Sequence, residues 1–222
     1  MKNKINEIIS FIRTNVYGAN FDSAVVGISG GIDSAVVAAL ASKSLGGENV
    51  YGMILPYGRQ KDIDDSYKVI EKFGIKEEYI DIKPMVSSFG GHYEDMNDLR
   101  WGNIKARVRM IWLYDMAKRQ DALVLGTCNR SELLMGYFTL HGDGACDVEP
   151  IAHLYKTEVR EMASQLGVPA SIIYKPPSAG LWDGQTDEEE LGMTYEEMDK
   201  MFMKVENMSF KMNLPKMMVR NE

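Results

Sequence analysis

Four short apolar runs, separated by segments with helical periodicity, are the feature that most constrains the fold of this chain. The runs are predicted strands at residues 23–29, 49–56, 78–82 and 121–127. The segments between them are predicted helices at residues 33–45, 63–73 and 103–119. Strands joined through helices form a parallel sheet, because right-handed crossovers place helices on both faces. The pattern therefore predicts an α/β fold, a doubly wound parallel sheet with helices on both faces.

This fold also predicts where a ligand binds. In doubly wound sheets ligands lie beyond the carboxyl ends of the strands, at the point where the strand order reverses. We therefore expect the loops after residues 29, 55 and 126 to converge on one site.

The remaining segments are helical or rich in turn residues. Residues 1–16 carry isoleucines at helical spacing between charged residues, which predicts an amphipathic helix rather than a secretory leader. Residues 155–169 and 194–206 are further predicted helices, whereas 139–154 is rich in turn residues. We expect 175–187, with its prolines and glycines, to be a loop that folds over a site.

Length and composition narrow the class of protein. With 222 residues, 45% apolar and 26% charged, the chain is expected to form one globular domain over residues 1–222. The longest apolar runs are too short to span a bilayer, and a cytoplasmic location is expected. The net charge of -7 and the scattered lysines and arginines argue against nucleic acid as a partner. Cys128 and Cys146 have neither CxxC spacing nor a nearby histidine pair, which favours two reduced thiols over a disulfide or zinc.

The string "SGGIDS" at residues 29–34 lies between the first predicted strand and the first helix of the alternation. Glycines let the backbone approach a ligand closely, and free N–H groups at a helix start favour an anion. The string lacks the lysine of the Walker loop and the third glycine of the dinucleotide fingerprint. A carboxylate at Asp33 fits a phosphate cradle chiefly if Mg²⁺ lies between them. The alternative is a glycine turn in which Asp33 or Ser34 merely caps the helix.

This string resembles the pyrophosphate loop of the ATP pyrophosphatase superfamily, whose members attach AMP to a carboxylate or carbonyl oxygen and release pyrophosphate. Later strings at residues 102–117, 124–147, 150–169 and 175–199 follow in order and with few gaps. Together with the loop they resemble the ammonia-dependent NAD synthetases from about residue 23 to residue 199. The resemblance implies an adenine nucleotide alpha hydrolase-like sheet.

The resemblance implies a set of ATP-binding residues. They are Gly27, Ile28, Ser29, Gly30, Gly31, Ile32, Asp33, Ser34, Thr127, Lys156 and Ser178. It also implies that Asp33 and Glu132 hold Mg²⁺, for which carboxylate oxygens are suitable ligands. Asp33 and Lys156 are the implied catalytic residues, since a lysine beside departing pyrophosphate offsets developing negative charge. Taken alone, Lys156 would be assigned as a solvated surface lysine.

On the acceptor side, the resemblance implies that Arg107, Asp147 and Lys211 bind deamido-NAD. Arg107 lies on a predicted helix whose apolar stripe anchors it, so the guanidinium leaves the flank of the helix. Taken alone, Arg107 is equally explained as an outward-facing charge. Asp143 and the glycines of "GDG" either contribute to this side of the site or only form a turn, and both interpretations stay open.

Three positions depart from the family pattern on this acceptor side. Leu140 replaces a lysine, Phe210 replaces a histidine, and Leu99 replaces an aromatic residue. Loss of a lysine beside a phosphate removes a charge-assisted bond worth about 1.5–3 kcal/mol. These changes bear on the identity of the acceptor.

The implied reaction is the amidation of deamido-NAD to NAD by ATP and ammonia through an acyl-adenylate, with release of AMP and pyrophosphate. Two alternatives are a related adenylating amide synthetase acting on another carboxylate, and a nucleotide-binding protein without catalysis. No glutaminase motif precedes the loop, so we expect the nitrogen donor to be free ammonia or ammonia delivered by a separate partner. The resemblance also implies a homodimer.

Overall fold

The computed structural model describes residues 1–60, 62–90, 96–178, 184 and 186–211, with the backbone alone at residues 90 and 207–211. The strands are β1 (Ser23–Gly27), β2 (Val50–Ile54), β3 (Lys76–Tyr79) and β4 (Ala122–Leu125). The helices are α1 (Lys2–Gly18), α2 (Ile32–Leu45), α3 (Ile63–Phe73), α4 (Lys83–Gly90), α5 (Asp98–Arg119), α6 (Arg130–Met135), α7 (Lys156–Leu166), α8 (Ala170–Ile173), α9 (Asp187–Leu191) and α10 (Tyr195–Lys211), with a 3₁₀ turn at Gly47–Asn49. Each described helix is too short or too polar to cross a bilayer.

The four strands form one parallel sheet in the order β3-β2-β1-β4. Val25 of β1 pairs with Tyr51 of β2 on one side and with Val124 of β4 on the other. The chain builds outward from β1 to β3 and then returns to place β4 on the opposite side of β1. The order therefore reverses between β1 and β4, and the predicted doubly wound parallel sheet is confirmed.

Both faces of the sheet are buried, as the apolar strands predict. Ala24 and Val26 belong to the core under α1, α2 and α7, whereas Val25 belongs to the core under α4 and α5. All three side chains are fully buried. Burial of each valine contributes about 1.5–3 kcal/mol. Helix α2 is buried on nearly every side, because it packs against the sheet and against helices α1, α3 and α7.

Some predicted boundaries differ from the structure. The third strand lies at Lys76–Tyr79 rather than 78–82, because this edge strand is largely exposed and carries charged residues instead of an apolar run. Helix α5 begins five residues before position 103, since the Asn97 side chain caps it by accepting from the backbone N–H of Arg100. Part of the predicted loop 175–187 lies outside the described residues.

Candidate functional site

The connection from β1 to α2 is a closed turn held by its own side chains. The Ser29 hydroxyl oxygen accepts from the Gly31 N–H at 3.2 Å and lies 3.1 Å from the Ser34 hydroxyl, which donates to the Gly31 carbonyl. Gly30 has φ +76°, and a Cβ there would lie 2.4 Å from the carbonyl oxygen of Asp62. Only glycine fits this position. The N-cap of α2 is Gly31, without a side-chain capping bond, so the alternative in which Asp33 or Ser34 caps the helix is wrong.

Three charged side chains meet beside this turn. The Lys156 ammonium nitrogen lies 2.6 Å from Oδ2 of Asp33 and 2.9 Å from Oε1 of Glu132. The lysine side chain is only 3% exposed, so the assignment as a surface lysine is wrong. Burial opposes its charge, but the two carboxylates outweigh burial and raise the pKa of Lys156 well above its ordinary value.

Asn129 fixes the two carboxylates relative to each other. Its side chain accepts from the backbone N–H of Glu132 at 3.0 Å and donates to Oδ1 of Asp33 at 2.9 Å. The Glu132 carboxylate in turn accepts from the Asn129 backbone N–H, which completes a capping box at the start of α6. Sequence reasoning missed this residue, although the N-x-x-E spacing of a capping box was visible at residues 129–132.

The cluster suits a hard divalent cation. Asp33 and Glu132 direct one carboxylate oxygen each at a single ammonium nitrogen, so both reach the same point. Mg²⁺ in proteins takes one or two carboxylates and completes its shell with phosphate and water oxygens. Burial raises the pKa of Glu132 above its ordinary value, an effect that Lys156 opposes and Asp33 reinforces. A second cation near Glu132 would favour its ionised form.

Lys175 joins the turn to the start of the segment 175–187. Its ammonium donates to the Gly30 carbonyl at 3.1 Å and to Asp62 at 2.7 Å, and it pairs with Asp65 at 2.6 Å. Burial tends to raise the pKa of Asp65, but bonds from Lys175 and Lys68 lower it to about 2. Sequence reasoning gave Lys175 no role.

Glu149 lies behind the loop that follows β4. Its carboxylate accepts from the Cys128 backbone N–H at 2.9 Å and from the Cys146 thiol at 3.1 Å. A Cβ on Gly126 would lie 2.3 Å from one of its oxygens. Burial raises the pKa of Glu149 to about 7. Both cysteines are free thiols, as predicted, and burial raises the pKa of each.

The predicted acceptor residues Arg107 and Asp147 form hydrogen bonds with backbone groups outside the cluster of Asp33, Glu132 and Lys156. Arg107 is exposed and donates to the Leu140 carbonyl through Nε and Nη2, at 3.3 and 3.2 Å. The Asp147 carboxylate accepts from the backbone N–H of Val124 at 2.8 Å. Lys211 and Phe210 end α10, and their side chains lie outside the described residues.

The remaining predicted positions are placed as follows. Thr127 is half-buried just beyond the carboxyl end of β4, and Ser178 is exposed. Asp143 accepts from the backbone N–H of Thr139 at 2.9 Å, which supports the turn interpretation. Burial lowers the pKa of the Arg109 guanidinium to about 10, and the charge of Asp143 opposes this shift. Nε of Arg109 donates to the Leu55 carbonyl. Arg109 was not predicted.

Comparison with known proteins shows extensive likeness. Residues 4–221 match the model of the family described as NAD synthase. The chain is 46% identical over 219 residues to the NH(3)-dependent NAD(+) synthetase of Thermococcus sibiricus, covering 95% of this chain and 86% of that protein. It is 52% identical over 202 residues to the enzyme of the same description from Pyrococcus horikoshii, covering 90% of this chain and 77% of the relative.

Solved structures give the same picture. NMN synthetase from Francisella tularensis superposes with a TM-score of 0.87 at 37% identity, over 94% of this chain and 91% of that one. The NH3-dependent NAD synthetase from Campylobacter jejuni, solved in complex with the nitrate ion, superposes with a TM-score of 0.74 at 33% identity, over 78% and 76% of the two chains.

Proposed function

Because this chain belongs to the NAD synthase family, we propose that it is a ligase that uses ATP and ammonia to amidate deamido-NAD to NAD. The observation that supports this most directly is the buried contact of Lys156 with Asp33 and Glu132 beside the turn at residues 29–34. This arrangement provides backbone N–H groups and a fixed positive charge for a triphosphate, next to two carboxylates for its counter-ion.

In the first step, an oxygen of the nicotinate carboxylate bonds to the α-phosphorus of ATP, and the bond from that phosphorus to the pyrophosphate oxygen breaks. The N–H groups of Gly30 and of the start of α2 bind the departing pyrophosphate, and Lys156 offsets its developing charge. The ATP-binding role extends to Thr127 and Ser178. The protein contributes position and charge rather than a nucleophile of its own.

In the second step, ammonia attacks the carbonyl carbon of the acyl-adenylate. AMP leaves with the bonding electrons, and the nitrogen loses a proton to give the amide. A free carboxylate cannot react in this way, because oxide is a poor leaving group whereas AMP is a good one. The thiols of Cys128 and Cys146, whose pKa desolvation raises, are poor candidates for nucleophiles.

Asp33 and Glu132 would hold the Mg²⁺ that accompanies ATP. When bound, the ion supplies further neutralisation of phosphate charge. Arg107, Asp147 and Lys211 are the proposed contacts to deamido-NAD. The single domain, the cytoplasmic location and the homodimer remain predictions. For the dimer, Ile111 of α5 is 59% exposed, whereas Trp112 is already engaged with Met85 in its own protomer.

A second candidate acceptor is the deamido form of NMN. The likeness to NMN synthetase at a TM-score of 0.87 favours it, as does Leu140, an exposed apolar residue where the family pattern has a lysine. A shorter acceptor lacks the AMP half of deamido-NAD and so requires fewer phosphate contacts.

The test is a product analysis with purified protein, ATP, Mg²⁺ and ammonium. Deamido-NAD and deamido-NMN are supplied separately, and NAD, NMN, AMP and pyrophosphate are measured. We expect NAD, AMP and pyrophosphate in equal amounts from deamido-NAD, and no reaction with glutamine in place of ammonium. A large preference for deamido-NMN would establish the second candidate, and no pyrophosphate with either acid would contradict both.

A further inference from the structure

Asp199, in α10, is a buried carboxylate that reaches the two helices carrying Glu132 and Lys156. Its side chain is 1% exposed. Oδ1 accepts from the Ser131 hydroxyl, and Oδ2 accepts from the backbone N–H of Thr157 at 2.9 Å and from its hydroxyl at 2.8 Å. A buried carboxylate is tolerated only when donors satisfy it, and here three donors do so.

These donors adjoin the charged cluster. Ser131 precedes Glu132 in α6, and Thr157 follows Lys156 in α7. The Ser131 hydroxyl oxygen also accepts from the backbone N–H of Lys156 at 3.0 Å. Because Ser131 donates its hydroxyl hydrogen to Asp199, its lone pairs remain free to face that N–H. One carboxylate thus ties the first turn of α6 to the first turn of α7.

The same contacts satisfy the start of α7. The N–H groups of Lys156 and Thr157 are the first two of that helix and have no partner within it. A negative charge at a helix N-terminus is stabilised by the helix dipole. Asp199 supplies that charge from 42 residues further along the chain, so the position of α7 depends on the docking of α10.

Helix α10 also contacts the ammonium group of Lys156. The ring of Tyr195, one turn before Asp199, is fully buried and its centroid lies 5.0 Å from the Lys156 ammonium nitrogen. The Tyr195 hydroxyl donates to Asp187 at 3.0 Å, which fixes the ring. Helix α10 therefore constrains both the backbone and the ammonium group of Lys156.

We propose that Asp199 is a positioning residue for the ATP-dependent step. Through Ser131 and Thr157 it sets the distance of the Lys156 ammonium from Asp33 and Glu132, and it contacts none of the reactants itself. The inference rests on the proposed function, in which Lys156 acts on ATP. A misplacement of 1 Å at such a group costs about 10²-fold in rate.

The test measures the dissociation constant of Mg-ATP by calorimetry for Asp199→Asn, in the wild-type and in the Lys156→Met background. The asparagine keeps the shape but presents an amide nitrogen that cannot accept a hydrogen bond. In the wild-type background we expect the substitution to weaken Mg-ATP binding about tenfold, a coupling energy within the range found for contacting residues. When Lys156 is absent, it should weaken Mg-ATP binding by less than about twofold. Turnover of the single variant should fall by up to about 10²-fold.

Equal weakening in both backgrounds would overturn the inference, because it would show a general loss of structure. Unchanged binding and turnover would overturn it as well. Glu161→Gln, which likewise replaces a carboxylate by an amide but at an exposed position of α7, is the control and should behave as the wild type. A wild-type protein that fails to bind Mg-ATP would overturn the proposed function together with this inference.

Thermal unfolding of Asp199→Asn checks that the variant folds. If it does not, Ser131→Ala and Thr157→Val each remove one donor to Asp199 with less disturbance. Each should weaken Mg-ATP binding in the wild-type background and have little effect in the Lys156→Met background. If both fold and neither shows this dependence on Lys156, the inference is wrong.

Discussion

The ammonium nitrogen of Lys156 lies 2.6 Å from Oδ2 of Asp33, although 123 residues separate them along the chain. The first belongs to the first turn of α7 and the second to the first turn of α2, and these two helices pack against each other. Two helix N-termini therefore point at the same region, each with a charged side chain in its first turn. Their dipoles add positive potential where the proposed pyrophosphate leaves.

Removal of the lysine charge should abolish most of the activity. We expect Lys156→Met to lower kcat/KM for ATP by roughly 10²–10³-fold, since one preorganised charge in a water-poor site is worth that much. It should also destabilise the fold by about 3–5 kcal/mol, because two carboxylates remain without their partner. NAD formation and urea unfolding measure the two effects. Lys200→Met, at an exposed lysine of α10, is the control, and a kcat/KM within about threefold of wild type would contradict the role of Lys156.

The backbone of the turn at residues 29–34, for which we propose phosphate binding, gives a second prediction. Gly30→Ala places a methyl group against the Asp62 carbonyl oxygen, so it should destabilise the protein by about 1–3 kcal/mol and weaken ATP binding strongly. Gly74→Ala is a matched control, because Gly74 has φ +62° but open space around it. It should show a similar backbone strain and keep its ATP affinity. Equal ATP affinities for the two variants would contradict the proposed use of this turn.

The parallel sheet, and the edge of the sheet at which the candidate site lies, could be predicted from the sequence because strand burial and helix periodicity are local signals. Asp33, Glu132 and Lys156 came from a resemblance, and the structure shows them in contact. Asn129, Lys175 and Asp199 were missed for a physical reason. Their roles arise from contacts with partners 96, 145 and 68 residues away, and neither spacing nor composition encodes such pairings. The edge strand β3 was misplaced because its exposed side chains are charged.

Binding of the acceptor can be probed by placing a lysine at position 140, where the family pattern has one. Leu140 is 59% exposed, so a lysine at this position can extend without displacing the core. Leu140→Lys should lower the KM for deamido-NAD by about tenfold, as expected for one charge-assisted bond to phosphate. Val205→Lys, at a similarly exposed position, controls for added charge alone. A KM that does not change would show that this position lies outside the phosphate contacts.

The pH dependence of stability should reveal Glu149. Burial, together with the neighbouring Asp143 and Asp33, raises its pKa from 4.5 to about 7, although hydrogen bonds from Cys146 and Cys128 oppose the shift. The folded state therefore holds a proton that the unfolded state releases, and the free energy of unfolding falls as pH rises from about 4.5 to about 7. Glu149→Gln should reduce this fall by about 2 kcal/mol, after allowance for partial exposure.

Urea unfolding at pH 5 and at pH 7.5 measures that change. Glu132 has a shift in the same direction, so part of the slope should persist in the variant. Glu161→Gln, at an exposed glutamate of α7, should leave the slope as it is in the wild type. A slope of the same size in Glu149→Gln would mean that Glu149 is ionised throughout this range.

The most direct test of the reaction is the fate of the carboxylate oxygens. Deamido-NAD labelled with ¹⁸O at both carboxylate oxygens is converted with ATP and ammonium, and AMP, pyrophosphate and NAD are analysed by mass spectrometry. Attack on the α-phosphorus predicts one labelled oxygen in AMP, one in the amide of NAD and none in pyrophosphate. Label in pyrophosphate or in released phosphate, or AMP without label, would contradict the adenylation mechanism.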